Sequence, residues 1–241
     1  LTLACGATQA AMVHVQFDNP IFSGVPAPAY DVVTITYPTL GTGAPRSVTT
    51  AAGRFQGTGS NVVGVSPGIF TDSLSDLFMY CYDVYEAVGS GWSVDYTLNL
   101  DGERARTLDF LGAVNAVLNQ GKPVYDTYAW LHPTSGAMAA AVQLGIWESK
   151  YETSGSWDLT QGAFQASALE SATQAAWVSF RSAILTSASI ESPYIITLES
   201  DTYQDMITAD PPPRNDVPEP GSLALAGLAL AGLAAARRRR A

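Results

Sequence analysis

The pattern of apolar and polar positions changes period along this 241-residue chain, and the change marks out its parts. Val13-His14-Val15-Gln16-Phe17 alternates, as does Val32-Val33-Thr34-Ile35-Thr36-Tyr37, and Pro or Gly bounds each run. A period of two rich in β-branched residues predicts strands with one buried face. Residues 77–88 (LFMYCYDVYEAV) and 92–100 (WSVDYTLNL) predict two more strands, paired around Gly89-Ser90-Gly91. Helical spacing takes over near Glu103. Leu108, Leu111, Val114 and Leu118 recur at threes and fours, and Gly121 follows as a stop. A second helix is predicted over 136–151, capped by Thr134 or Ser135, and a third over 166–187; residues 194–199 return to strand. The body, 12–200, therefore reads as one α+β domain, a β-rich framework with a helical insertion. Residues 201–216 turn polar and hold Pro211-Pro212-Pro213, which predicts a stiff linker.

The two ends are patterned differently. Residues 1–11 (LTLACGATQAA) are small and apolar and finish in Thr8-Gln9-Ala10-Ala11, the form of the end of a secretory signal peptide. A lipoprotein cysteine at Cys5 and a first buried strand are the other readings of that stretch. At the far end Val217-Pro218-Glu219-Pro220 leads into sixteen residues without a charge, 221–236, and then into Arg237, Arg238, Arg239 and Arg240. Sixteen helical residues span about 24 Å, short of the roughly 30 Å hydrocarbon core, so 221–236 reads as a marginal transmembrane helix. The arginines resist translocation and fix their end in the cytoplasm, with everything upstream on the far side.

Motif, apolar helix and basic end, in that order over 217–241, resemble the PEP-CTERM sorting signal of Gram-negative bacteria. The resemblance implies recognition near Pro218-Glu219-Pro220 by an exosortase, a membrane-embedded processing enzyme. It implies the secretion machinery as a further partner and the inner membrane as an intermediate station. The destination it implies is the cell envelope, the cell surface or the extracellular matrix.

Charge narrows the partners. Upstream of the motif stand eight basic and twenty-one acidic residues, a formal charge of −13. Such a balance argues against nucleic-acid binding through phosphates and favours solubility.

The chemistry turns on one atom. Removal of a leader takes Cys5 with it and leaves Cys81 as the lone cysteine, which cannot close an internal disulfide. A small buried hydrophobe is one account of it. Its neighbours, Tyr80 and Tyr82, and the helix predicted over 136–151 supply another. In that helix Met138, Val142 and Ile146 form an apolar stripe at i, i+4 and i+8. Gln143 and Trp147, also four apart, set a carboxamide beside an indole on the adjoining edge.

Tyr80-Cys81-Tyr82 followed by Val142-Gln143-Leu144-Gly145-Ile146-Trp147 resembles the thioester domains of bacterial surface adhesins, loosely over 78–200. In that family a strand cysteine and a helix glutamine condense, with loss of ammonia, into an internal thioester. The resemblance implies Cys81 as nucleophile, Gln143 as acyl donor, and Tyr80, Tyr82 and Trp147 as their surroundings. Two positions depart from the family pattern. Val142 stands where Thr often precedes the glutamine, and Gly145 stands where Ala often follows it by two. Thr173-Gln174-Ala175-Ala176 carries the Thr-Gln-x-Ala string literally, which makes Gln174 an alternative acyl donor, although Trp177 then follows one place early. Either way, cysteine is the most nucleophilic side chain available near neutral pH, and an aromatic surround slows hydrolysis by excluding water. The product is a single-use electrophile that an amine on another surface captures.

The remaining constellations are thinner. His14 and His132 are the only histidines, too few for a histidine-rich metal site. His132 precedes Pro133 in a predicted loop, and no cysteine-peptidase signature surrounds it or Cys81. Around Asn99, Asp101 and Gly102, an EF-hand alignment puts Thr97 and Leu108 at the first and last ligand positions, so the segment reads as a turn with surface acids. No metal or cofactor is expected. Three function classes follow. The first is a surface or biofilm-matrix adhesin whose Cys81–Gln143 thioester meets an amine-bearing ligand. The second is a non-reactive structural protein of the envelope or exopolysaccharide. The third is a secreted hydrolase using Cys81. The first two are not enzymes, and the expectation is of no enzymatic activity.

Overall fold

Six antiparallel strands close on themselves, and a second, smaller sheet and three helices pack against them. The computed structural model describes residues 10–100 and 103–209. Its strands are β1 (Met12–Phe17), β2 (Tyr30–Tyr37), β3 (Arg46–Gly53), β4 (Phe55–Val63), β5 (Leu77–Cys81), β6 (Ser93–Asn99), β7 (Gln165–Ser167), β8 (Ile195–Glu199) and β9 (Met206–Ala209). The barrel runs β1-β4-β5-β9-β8-β6, and β6 returns to β1. The smaller sheet has the order β3-β2-β7. Alternation along β1 and β6 sends Val13, Val15, Phe17, Val94, Tyr96 and Leu98 into the core, as a period of two requires.

The helices are α1 (Ala105–Leu118), α2 (Gly136–Tyr151) and α3 (Ser171–Ala183). Ser135 Oγ accepts the Met138 N–H at 3.2 Å and starts α2 as an N-cap. α2 touches α1, α3, β2, β3 and β5, and its residues from Ala139 to Ser149 are all buried. A helix enclosed on every side has no polar face. The Met138–Val142–Ile146 stripe is thus one of several buried faces, and Gln143 lies in the interior with the rest.

β1, β2, α1, α2 and β8 stand where the periodicity predicts them. Five features differ. Residues 77–88 and 92–100 do not form a hairpin: β5 pairs with β4 and β9, while β6 pairs with β1 and β8. The strand at 77 ends at Cys81: the Tyr82 N–H still reaches the Asp205 carbonyl, but from Asp83 onward the backbone bonds to side chains. The third helix is shorter than 166–187, since Gln165–Ser167 pairs with β2 before Ser171 opens α3. β3 and β4 carry so many Gly, Ser, Thr and Ala residues that alternation is faint. The stretch from 201 also yields β9, whose four residues are all buried between β5 and β8. The barrel therefore reaches into the segment read as a linker, which can begin no earlier than residue 210.

Among the described residues no helix is long and apolar enough to cross a membrane. The span predicted at 221–236, residues 1–9 of the leader, the motif at Val217, Pro218, Glu219 and Pro220, and Arg237 to Arg240 lie outside the described residues.

Gly145 explains one departure from the adhesin pattern. A Cβ there would sit 1.9 Å from Cζ of Phe110 on α1, far inside contact distance, so the two helices approach only because no side chain intervenes. Gly145→Ala is expected to lower stability by about 1–3 kcal/mol through overpacking, measured as a reduced denaturant midpoint. Adding Phe110→Leu should recover part of the loss.

Candidate functional site

The site begins with a gap in the barrel wall. β5 pairs with β4 through Leu77↔Gly57, Phe78↔Gln56 and Met79↔Phe55. That register, continued, puts Gly53 opposite Cys81, but Gly53 ends β3 and pairs with Tyr30. On its other edge β5 is occupied by β9, with Cys81 opposite Met206. Residues of an antiparallel strand turn their N–H and C=O alternately to one neighbour and the other, and at Cys81 the β4 side has no strand to receive them.

Gln143 takes that place. The Cys81 N–H donates to Gln143 Oε1 at 2.8 Å, and Gln143 Nε2 donates to the Cys81 carbonyl at 2.8 Å. A side-chain carboxamide thus reproduces the two bonds that a paired strand residue exchanges. Cys81 is 2% exposed and Gln143 0%. The two bonds bracket the Cys81 Cα, so the carboxamide lies edge-on to the residue that carries the thiol.

The contact continues along one edge of α2. Trp147 Nε1 donates to the Asp83 carbonyl at 3.0 Å, and the Val84 N–H donates to the Tyr151 hydroxyl at 3.2 Å. Four helical residues rise about 6 Å and two extended residues about 6.6 Å, so 143 and 147 keep step with 81 and 83, and the long Tyr151 side chain reaches Val84. These bonds occupy the backbone at Asp83 and Val84, after one last backbone bond from the Tyr82 N–H to the Asp205 carbonyl, so β5 does not continue.

Of the aromatic residues singled out in the sequence, Trp147 shares the α2 edge with Gln143, while Tyr80 and Tyr82 flank Cys81 along the chain and meet other partners. Tyr80 is fully buried, stacks on Trp130 and donates to the Trp130 carbonyl at 3.1 Å. Tyr82 is buried, its hydroxyl accepts the Arg104 N–H at 2.9 Å, and the Lys150 ammonium lies 3.9 Å over its ring. Burial pushes the Cys81 thiol well above its ordinary pKa, and the nearby Asp83 carboxylate adds to the effect. The sulfur is therefore held as a thiol at neutral pH. Cys81 also lines a cavity of about 340 Å³ between the barrel and the β2–β3 ribbon, together with Tyr37, Phe55, Trp147, Gln204 and, among the exposed residues, Glu86.

Gln174 lies elsewhere. It is on α3 with its side chain exposed, and no hydrogen bond joins it to Cys81. His132 bonds Asp72 at 2.9 Å and lies 3.9 Å from Asp126, so its ring is engaged by carboxylates. Sequence reasoning missed Asp83, Tyr151 and Gln204. Tyr151 was legible as the third residue of the Gln143–Trp147 edge; Asp83 and Gln204 had no such signal, since one sits past a strand end and the other in a polar stretch.

The comparisons with known proteins bear on the tail. Residues 216–240 match the PEP-CTERM protein-sorting motif. No curated protein and no solved structure matches the chain. The motif supports a chain that is exported and sorted by an exosortase, with the cell envelope or surface as its destination.

The buried acids set the pH response. Burial raises Glu148 to about 7, against one N–H from Asp158, and raises Asp205 to about 6, with the neighbouring Asp83 carboxylate contributing. Both folded values exceed the ordinary ones, so the folded state takes up protons before the unfolded chain does, and stability rises as pH falls through 7 and 6. Burial also pushes Glu152 upward, but N–H donors from Ser154, Ala163 and Phe164 outweigh it and hold its pKa below 4.5; its contribution is lost only in stronger acid. The melting temperature should therefore climb between pH 8 and pH 5. Glu148→Gln should flatten that climb and melt above wild type at pH 8, as thermal scans across the range would show.

Proposed function

We propose that Cys81 and Gln143 condense into an internal thioester, making the exported domain a single-use covalent adhesin. The observation that carries this reading is the pair of 2.8 Å bonds between the Gln143 carboxamide and the backbone of Cys81. In the condensation Sγ bonds to the side-chain carbon of Gln143, the bond from that carbon to Nε2 breaks, and the thiol proton leaves with the nitrogen as ammonia. The Cys81 N–H on Oε1 stabilises charge developing on that oxygen, in the manner of an oxyanion hole. The bond from Nε2 to the Cys81 carbonyl disappears with the ammonia. A primary amine then attacks the acyl carbon, forming an amide with Gln143 and returning the thiol to Cys81. Amine-bearing groups of another surface or of an exopolysaccharide matrix are the acceptors. Each molecule reacts once, so the protein is a reagent and not an enzyme.

A second reading draws on the same two bonds. A buried backbone edge needs partners whether or not chemistry follows, and Gln143 satisfies it, so Cys81 in a non-reactive envelope protein is the alternative. Intact mass separates the two. The chain purified without amines should be lighter by one ammonia, and methylamine should add to Gln143 while a titratable Cys81 thiol appears. Cys81→Ala and Gln143→Ala should each abolish labelling; Gln174→Ala should not. A wild-type chain of unreduced mass with a free thiol would sink the thioester.

Delivery completes the proposal. The inner membrane holds the chain through residues 221–236 until an exosortase acts at Pro218-Glu219-Pro220, and the arginine end stays behind. Replacing those three residues with alanine should strand the full-length chain in the inner membrane of an exosortase-positive host, as fractionation and mass would reveal. Release of the variant with its tail removed would count against this route.

A further inference from the structure

Asp83 gathers four hydrogen bonds two residues beyond Cys81. Its Oδ1 accepts the Tyr85 N–H at 3.2 Å and its Oδ2 the Asp205 N–H at 2.7 Å. Its backbone carbonyl accepts Trp147 Nε1 at 3.0 Å and Gln204 Nε2 at 2.8 Å. The donors come from the chain just after β5, from α2, and from the turn that leads into β9. A turn-forming aspartate needs only the first of these bonds. The other three tie α2 and the approach to β9 onto the strand that carries Cys81, at the level where β4 no longer supports it. Asp83 is 4% exposed, so no water substitutes readily for a lost partner.

We infer that Asp83 is a positioning residue for the Cys81–Gln143 condensation, fixing the end of β5 against α2 so that the carboxamide sits on Cys81. The chemistry in this inference rests on the thioester reading; the register it describes does not. The carboxylate holds the Asp83 peptide through Asp205 and Tyr85, and the carbonyl so oriented receives Trp147. Trp147 is one helical turn from Gln143, so a shift at Asp83 passes directly to the carboxamide. Displacement by about 1 Å in such a pair costs on the order of a hundredfold in rate.

The test compares Asp83→Ala, which removes both carboxylate bonds, with Asp83→Asn, which keeps an oxygen acceptor, in the full chain. Two quantities are read: the fraction of purified chains lighter by one ammonia, and hydrogen exchange at the Cys81 amide against the Val15 amide of β1. Asp83→Ala should cut the fraction by about tenfold or more and speed exchange at Cys81 while leaving Val15 protected. Asp83→Asn should restore much of both. In a Gln143→Ala background the effect of Asp83→Ala on Cys81 exchange should largely vanish, because the two residues act through one contact. Equal loss of exchange protection across the barrel, or an unchanged fraction with unchanged exchange, would overturn the inference. If wild type itself keeps its full mass, the thioester reading fails and Cys81 exchange alone decides the positioning role. Should Asp83→Ala not fold, Gln204→Leu, which removes one donor to the Asp83 carbonyl, should shift Cys81 exchange in the same direction by less, and no shift would count against the clamp.

Discussion

The exchange of two hydrogen bonds between the Gln143 carboxamide and the Cys81 backbone is the contact on which the arrangement around α2 depends. Each buried polar group left unpaired there would cost about 1–3 kcal/mol, and four such groups meet: the N–H and C=O of Cys81 and the two ends of the amide. None has another partner within reach, because β4 has diverged into β3 and the opposite edge of β5 belongs to β9. A glutamine in the middle of a wholly buried helix is otherwise unfavourable. The fold resolves two problems with one contact, the open strand edge and the buried amide. Any reactivity is a consequence of the same juxtaposition.

What the sequence made legible was the long-period signal. The spacing of Leu108, Leu111, Val114 and Leu118 located α1, and Thr134 or Ser135 ahead of an apolar run located α2. The edge carrying Gln143 and Trp147 was also visible, since four-residue spacing is a property of the helix alone. The partner of that edge was visible only by resemblance, because nothing in residues 77–88 says that the strand ends at Cys81. The aromatic run continues to Tyr85, and alternation cannot distinguish backbone paired with a strand from backbone paired with helix side chains. β9 failed for a different reason. Four residues are too few for a period to register, and the polar residues around them carry turns that fasten β9 to Ser200 and Asp83. The barrel closes through a segment whose composition is that of a loop.

Burial at the site acts on the chemistry in two opposed ways. It keeps the Cys81 sulfur protonated, which slows attack, since the thiolate is the nucleophile. On the proposed reading it would also exclude water from an acyl group that hydrolysis would destroy. An arrangement with fixed geometry and a reluctant nucleophile suits a bond that forms once, slowly, during maturation.

The surroundings of Cys81 also divide the directions of approach. One backbone edge is taken by β9, the other by Gln143, and the chain beyond is fastened to α2 through Trp147 and Tyr151. What is left is the cavity against the β2–β3 ribbon, walled by Tyr37, Phe55 and Trp147, with the exposed Glu86 among its lining residues. Such walls favour an extended apolar stem over a hydrated group, and an acid beside them favours a cationic end arriving from solvent. On the proposed thioester reading, a primary ammonium on a methylene chain would have both properties. On that reading it would shed its proton before attacking, and the low-polarity interior would help, because burial disfavours the charged form of an amine as it does that of a thiol.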